Sequence, residues 1–283
     1  AELDEILKSK ARIKTIIVKE LKSIAEKYGQ PRKSIIIYED VAKYEEEAVE
    51  IPDYPVNLFF TKEGYFKKIT PQSLRMSGEQ KLKDGDEIIQ ELEFTNNCDL
   101  LFFTDKCQVY KAKANDFSQT KASTLGDYVA AKLGFDEGEN AVKMVVTKDY
   151  KGMLLFAFEN GKAAKVPLES YATKTNRKKL TGAYSDKSPL VGLLYMPEDE
   201  EVLFKASSGN MLLVHTGALT LKTTRSTQGV AVLKPKKGHR LFSIERYKEG
   251  TFTNPKRYRT SSLPARGALP VNEDNQNEQL SLI

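Results

Sequence analysis

Lysine recurs in this chain at corresponding places of a repeated hairpin, and regularly spaced cations have one obvious chemistry, the neutralisation of phosphate. The stretch LFFTKEGYFKKI, residues 58–69, reads as two apolar strands around a Lys-Glu-Gly turn, the second ending on Lys67 and Lys68. Its first half recurs as LFFTDKC at 101–107, LFAFENG at 155–161 and LFKASSG at 203–209. The strands that follow (YFKKI, QVYKA, KAAKV and NMLLV) place Lys111 and Lys165 where the first copy has its pair, and Lys113 lies just beyond Lys111. More cations stand between the hairpins: Arg75, then Lys174, Arg177, Lys178 and Lys179. Segment 222–248 sets Lys222, Arg225, Lys234, Lys236, Lys237, Arg240, Arg246 and Lys248 against Glu245 alone. A lysine run is usually only a solvated face. Cations projected from the same edge of every repeat would instead form a positive rim matched to duplex phosphates, binding with little regard to base sequence and bending the DNA.

The elements that must hold those cations are small β-units. Copies starting at residues 58, 101, 155 and 203 lie 43, 54 and 48 residues apart, close to the spacing of blade-type arrays. A further apolar strand follows each hairpin, at EIIQELEF, VKMVVT, LVGLLYM and HRLFSIERY. One such sheet cannot bury its own apolar face, so neighbours are expected to stack around an axis as in a propeller. Residues 1–28 differ, with Leu3, Ile6, Leu7, Ile13, Ile16, Ile17, Leu21 and Ile24 at helical spacing and a stop at Gly29 and Pro31. An acidic stretch from Glu39 to Asp53 follows, with Lys43 as its one base. The expected organisation is a helical segment over 1–34, the β-array over 35–250 and a disordered polar tail over 251–283.

Enzyme chemistry has no visible home here. There is no nucleophile elbow, phosphate-binding glycine loop or metal-ligand spacing, and KDGDE at 83–87 reads as a turn rather than a calcium loop. Cys98 and Cys107 read as reduced thiols, and His215 and His239 lack companions at ligand spacing. A net charge of +5 is only mildly basic, so the placement of charge matters more than its total. No apolar run approaches the length of a membrane span, and a cytoplasmic protein is expected.

Three stretches resemble a known family. ELDEILKSKARIKTIIVKELKSIAEKYGQPRKSIII at 2–37 is similar to the end of the breakage-reunion region in the A subunit of bacterial type IIA topoisomerases. VNLFFTKEGYFKKI at 56–69 resembles the first-blade hairpin of the C-terminal domain of that subunit, and RSTQGVAVLKPKKG at 225–238 its late element. The resemblance implies a mainly β fold, a β-pinwheel of four to five blades preceded by an N-terminal helical segment. It implies a rim that binds and bends duplex DNA through Lys67, Lys68, Arg75, Lys111, Lys113, Lys165, Arg177, Lys178, Lys179, Lys222, Arg225, Lys234, Lys236, Lys237 and Arg240. The family's catalytic tyrosine lies upstream, and Tyr28, Tyr65 and Tyr110 do not match its motif. No cofactor is expected in this fragment; ATP and Mg²⁺ would serve the parent holoenzyme.

Gyrase carries a glutamine-arginine-glycine box after its first blade. The corresponding SLRMSGEQKLKDGD at 73–86 keeps Arg75, Gly78, Lys81 and Gly85 without the box, so the stretch looks more like topoisomerase IV, with a divergent gyrase as the other reading. Expected partners are duplex DNA, the B subunit of the holoenzyme, and the rest of its A subunit, with a nucleoid-associated location. The end of the tail, Gln279, Leu280, Ser281, Leu282 and Ile283, is similar to the peptide by which bacterial proteins dock on the replication sliding clamp, with Ile for the usual Phe. Such a match also arises by chance in polar tails. The competing class is a propeller that binds another protein, its lysines serving solubility.

Overall fold

The structure, a computed structural model, describes residues 6, 9–30, 51–173, 178–271 and 274. Two units are distinguished, Ala1–Glu50 and Ile51–Ile283. In the first, helix α1 (Lys10–Tyr28) begins where the Ser9 side chain accepts from the Arg12 N–H and ends where Gly29 N–H donates to the Ala25 carbonyl. Among the described residues no helix is long and apolar enough to cross a membrane.

The second unit is built from four hairpins: β1 (Pro55–Thr61) with β2 (Tyr65–Ile69), β4 (Asp99–Thr104) with β5 (Gln108–Lys113), β8 (Met153–Phe158) with β9 (Lys162–Pro167), and β12 (Glu201–Ala206) with β13 (Met211–His215). Each is the core of one sheet, so there are four blades. The repeat's turn residue must adopt a left-handed backbone. Gly64, Gly161 and Gly209 do so freely, whereas Cys107 holds it at φ 55° despite its Cβ.

A third strand flanks the first strand of every hairpin: β3 (Ile88–Thr95), β7 (Ala141–Thr147), β11 (Leu190–Met196) and β15 (Leu241–Arg246). These four face one another at the centre. Gln90 on β3 donates its amide to the Met144 carbonyl of β7 at 2.8 Å and accepts from Met144 N–H at 2.7 Å, while Arg246 on β15 donates to the Tyr195 carbonyl of β11. All four contribute to a central cavity of about 350 Å³. One bulge interrupts each inner strand at the corresponding place, leaving Ile89, Val142, Val191 and Phe242 out of register.

The outer edge is built by exchange. β6 (Asp127–Tyr128) arrives after the second hairpin yet pairs with β2 of the first blade. β10 (Lys179–Thr181) joins β5, and β14 (Val230–Ala231) joins β9, by the same rule. Among the described residues no later hairpin follows blade 4. Its edge is supplied by residues 258–268, where Ala268 and Met211 exchange both backbone hydrogen bonds and Leu213 N–H donates to the Tyr258 carbonyl at 2.8 Å. Gly267 makes this approach possible, since at φ 72° any Cβ would collide with the Met211 carbonyl oxygen.

For residues 251–271 this corrects the expectation of a disordered tail over 251–283, whose residues 272, 273 and 275–283 lie outside the described ones. Residues 251–271 lie against blade 4, with Phe252 and Tyr258 buried on Leu203, Met211 and Leu213. Asp274 is buried too, accepting from the Tyr258 hydroxyl and, at 2.8 Å, from Thr253 N–H. The apolar face of the fourth sheet had to be covered, and two aromatics in a polar segment do it.

The core consists of layers between consecutive blades. Leu58 and Phe60 of blade 1 meet Leu100 and Phe102 of blade 2. Leu101 and Phe103 meet Leu154 and Phe156, and Leu155 and Ala157 meet Val202 and Phe204. Both faces of an internal blade are therefore buried, which explains why the hairpin strands read as unbroken apolar runs. Blade 1 covers its remaining face with Leu74, Ile88 and Ala122 over Phe59 and Ile69, and among the described residues no buried cluster joins blade 4 to blade 1.

Candidate nucleic-acid interface

The hairpin lysines are not on the rim, a correction to the sequence reading. Lys67, Lys68 and Lys165 retain only 1, 2 and 5% of their exposure. Strand register explains where they point. Lys68, Lys111 and Lys165 stand opposite Leu58, Leu101 and Leu155 of the Leu-Phe pairs, on a sheet face that the next blade covers. Lys68 Nζ donates to Asn96 Oδ1 and to the Ala114 carbonyl, both at 2.7 Å. Lys165 Nζ donates to Asp199 Oδ1 and to the Thr216 carbonyl, both at 2.9 Å. Each thus reaches from its own blade to a turn of the next and adds a second donor to the carbonyl that opens a 3-10 turn, already bonded to Phe117 N–H or Leu219 N–H. Lys111 follows the pattern, paired with Asp99 at 3.1 Å and lying 4.8 Å from the centre of the Tyr150 ring in the turn before blade 3. Blade 4 has Leu213 at this position, beneath Tyr258.

Lys67 is buried differently, donating to Gln80 Oε1, the Lys81 carbonyl and the Ala122 carbonyl at 3.1, 2.6 and 3.2 Å. Burial depresses the pKa of both Lys67 and Lys68. These ammonium groups are interblade and loop pins, with no access to a ligand.

The exposed cations lie one strand further out. Lys111 N–H donates to the Lys178 carbonyl at 2.7 Å, and Lys222 N–H donates to the Lys165 carbonyl at 2.8 Å. In blade 1 the residue in this role is Thr120, whose N–H donates to the Lys68 carbonyl at 2.8 Å, with exposed Lys121 next to it. In blade 4 it is Thr260, beside Arg259. Thus Lys121, Lys178, Lys222 and Arg259 recur at or next to one place on the outer edges of the four blades. Lys121 and Lys178 are exposed and Lys222 half-exposed, whereas Arg259 is tied to Glu201 by two bonds of 2.7 Å. Sequence reasoning missed Lys121, a cation standing outside any basic run, and Arg259 with the exposed Lys256, Arg257 and Arg266, which fall in the stretch expected to be a disordered tail.

The other expected site residues fall into three groups. Arg75, Lys113, Lys234, Lys236 and Lys237 are exposed, on α2 (Pro71–Arg75), at the end of β5 and on the loop from β14 to β15. Lys179, Arg225 and Arg240 lie on the outside but are engaged. Lys179 pairs with Asp136 at 2.6 Å, Arg240 pairs with Glu159 at 3.1 Å, and Arg225 donates to the Ser170 carbonyl at 3.4 Å with its guanidinium 5.8 Å from the Tyr171 ring. Lys174, Arg177, Gln279, Leu280, Leu282 and Ile283 lie outside the described residues.

No group of three or more His, Cys, Asp or Glu among the described residues is placed to hold a metal ion. Burial pushes the Cys98 thiol up to about 12, far from a reactive thiolate.

No protein-family model matches the chain. Its sequence is 27% identical over 268 residues to the DNA gyrase A protein of Streptomyces coelicolor, covering 89% of this chain and 31% of that protein. The chain therefore spans about a third of the length of the curated relatives it matches. The crystal structure of the C-terminal domain of DNA topoisomerase IV aligns with a TM-score of 0.61 at 24% identity, over 70% of this chain and 63% of that one. The structure of the DNA gyrase A C-terminal domain aligns at 0.52 and 18% identity, over 76% of each. The fold is the β-pinwheel of these domains, with four blades.

Proposed function

We propose, for a chain that shares its fold with the C-terminal domains of type IIA topoisomerases and is similar in sequence to gyrase A proteins, that it is a DNA-binding and DNA-bending module of such an enzyme. The supporting observation is the recurrence of Lys121, Lys178 and Lys222 on the outer edges of successive blades, each at or next to the residue bonded to Lys68, Lys111 or Lys165 of the hairpin repeat. Cations on a convex edge engage successive phosphates only if the duplex follows the edge, so affinity and bending are coupled.

Strand passage, decatenation and relaxation, with their ATP and Mg²⁺, would belong to the remaining parts of the holoenzyme. In the bacterial cytoplasm this module would hold the duplex for them at the nucleoid. The assignment is to a topoisomerase IV type, because residues 73–86 lack the glutamine-arginine-glycine box. The tail peptide at 279–283 is assigned to the sliding clamp on its sequence alone.

Circularisation of duplexes near the ~150 bp persistence length tests the bend. The chain should accelerate ring closure, and relaxed circles treated with a nicking-closing topoisomerase in its presence should trap no negative writhe. Unchanged closure by a chain that binds the duplex would overturn bending. Trapped negative writhe would move the assignment to gyrase.

A further inference from the structure

A groove of about 560 Å³ opens on the outer edge of blade 1, between α2 and residues 121–123. Its walls carry the hydroxyls of Ser73, Ser77 and Ser123, the side chain of Lys121 and one carboxylate, Glu79. At its lip stands Met76, 84% exposed, the most exposed large apolar side chain among the described residues. An unbranched apolar chain held in water forgoes the burial free energy that most methionines gain.

The turn that presents Met76 is pinned. Thr70 caps α2 by accepting from Ser73 N–H at 3.3 Å, and Pro71 occupies its first turn. Met76 N–H donates to the Gln72 carbonyl, Ser77 N–H to the Leu74 carbonyl, and Ser77 Oγ to the Ser73 carbonyl at 2.6 Å. Leu74 anchors the turn on Phe59 and Ile69. At the corresponding place blades 2, 3 and 4 have only 3-10 turns, Ala114–Asp116, Leu168–Tyr171 and Thr216–Ala218. Blade 1 alone has a helical turn with an apolar tip, flanked by exposed Arg75 and facing Lys121 across the groove.

We infer that Met76 is a wedge that enters the base stack of a duplex held on this edge, with Arg75 and Lys121 on the phosphates to either side. The inference rests on the DNA-binding reading above. Unstacking one step costs free energy that is recovered when the kink brings more backbone onto the protein, and methionine is among the side chains suited to the role. Pyrimidine–purine steps open most readily, so the wedge gives a rim that is otherwise indifferent to sequence a preferred point of bending.

The test places 2-aminopurine at a TA step of a short duplex and titrates the whole chain. Insertion should raise its fluorescence about twofold or more as the base unstacks. Met76→Leu should keep the rise, while Met76→Gln and Met76→Ala should lose most of it. All should retain the salt dependence of binding, since no charge changes. An equal rise with Met76→Gln, or no rise with the unsubstituted chain while it binds in a salt-dependent manner, would overturn the wedge and leave DNA binding standing. Absence of salt-sensitive duplex binding by the unsubstituted chain would overturn both.

Discussion

Lys222 N–H donates to the carbonyl of Lys165 at 2.8 Å, so two lysines sit side by side on adjacent strands with opposite fates. Lys165 turns inward and spends its charge on Asp199 and the Thr216 carbonyl, whereas Lys222 lies on the outer edge, where phosphate can reach it. Lys111 and Lys178 repeat the relationship one blade earlier. The inner lysine of each pair holds blades together and the outer one is free to bind.

Removing an inner lysine should therefore cost stability. Lys68→Met keeps the apolar stem but leaves Asn96 Oδ1 and the Ala114 carbonyl buried without the ammonium donor. The Ala114 carbonyl keeps its bond from Phe117 N–H, so Asn96 Oδ1 is the acceptor left unsatisfied, and the loss should be about 1–3 kcal/mol in denaturant unfolding. Lys178→Met, on the exposed edge, should stay within about 0.5 kcal/mol of the unsubstituted chain. Equal effects would remove the distinction between the two lysines.

Acid should weaken the pin between blades 3 and 4. Burial alone would raise the Asp199 pKa, but the hydrogen bonds from Lys165 and Thr216 outweigh it and hold the group below 3.8. A carboxylate depressed on folding adds stability that is complete above its unfolded value and is lost as pH falls through the folded one. Thermal stability of the unsubstituted chain should thus fall on acidification below about pH 4 more steeply than that of Asp199→Asn. Parallel pH profiles for the two would contradict this.

The tail should behave as part of blade 4. Tyr258 is 1% exposed and packs on Leu203, Met211 and Leu213, so Tyr258→Ala should cost about 3 kcal/mol or more by the rule for large core aromatics. That corresponds to a fall on the order of 10 °C in Tm for a unit of this size. Uncovering that face should also promote self-association, read by light scattering. A variant that melts with the unsubstituted chain would show that the segment is dispensable.

For the clamp assignment, a peptide of residues 272–283 should bind the sliding clamp, and a version with Leu280, Leu282 and Ile283 all replaced by alanine should not. Equal binding by the two would remove the clamp as a partner.

The repeat and the hairpins were legible because Leu-Phe and a turn residue return at each copy, whereas the choice between four and five blades was left open. The exchange of outer strands was not, since β6 and β14 are two residues long and leave no periodic trace. Lys67, Lys68 and Lys165 were misread for a physical reason. A cation within an apolar strand looks like an exposed position when one face of the sheet meets water, but here the next blade covers Lys68 and Lys165 and blade 1's own loops cover Lys67, and the acceptors that tolerate the charge come from turns far along the chain. Tyr258 was hidden by composition, because one aromatic among Arg, Ser and Pro carries no pattern. The cations at 178, 179, 222 and 225 lie at the outer edge, and Lys179 and Arg225 are engaged there by the protein itself.

The most direct test of the central claim is the salt dependence of duplex affinity for the unsubstituted chain and for a Lys121→Ala, Lys178→Ala, Lys222→Ala variant. Each phosphate contact contributes about 0.9 to the slope of log affinity against log salt. The expected result is a steep negative slope for the unsubstituted chain, reduced by about 2.7 in the variant, which should remain folded. A shallow slope for the chain, or the same slope for both proteins, would contradict a cationic rim that binds DNA.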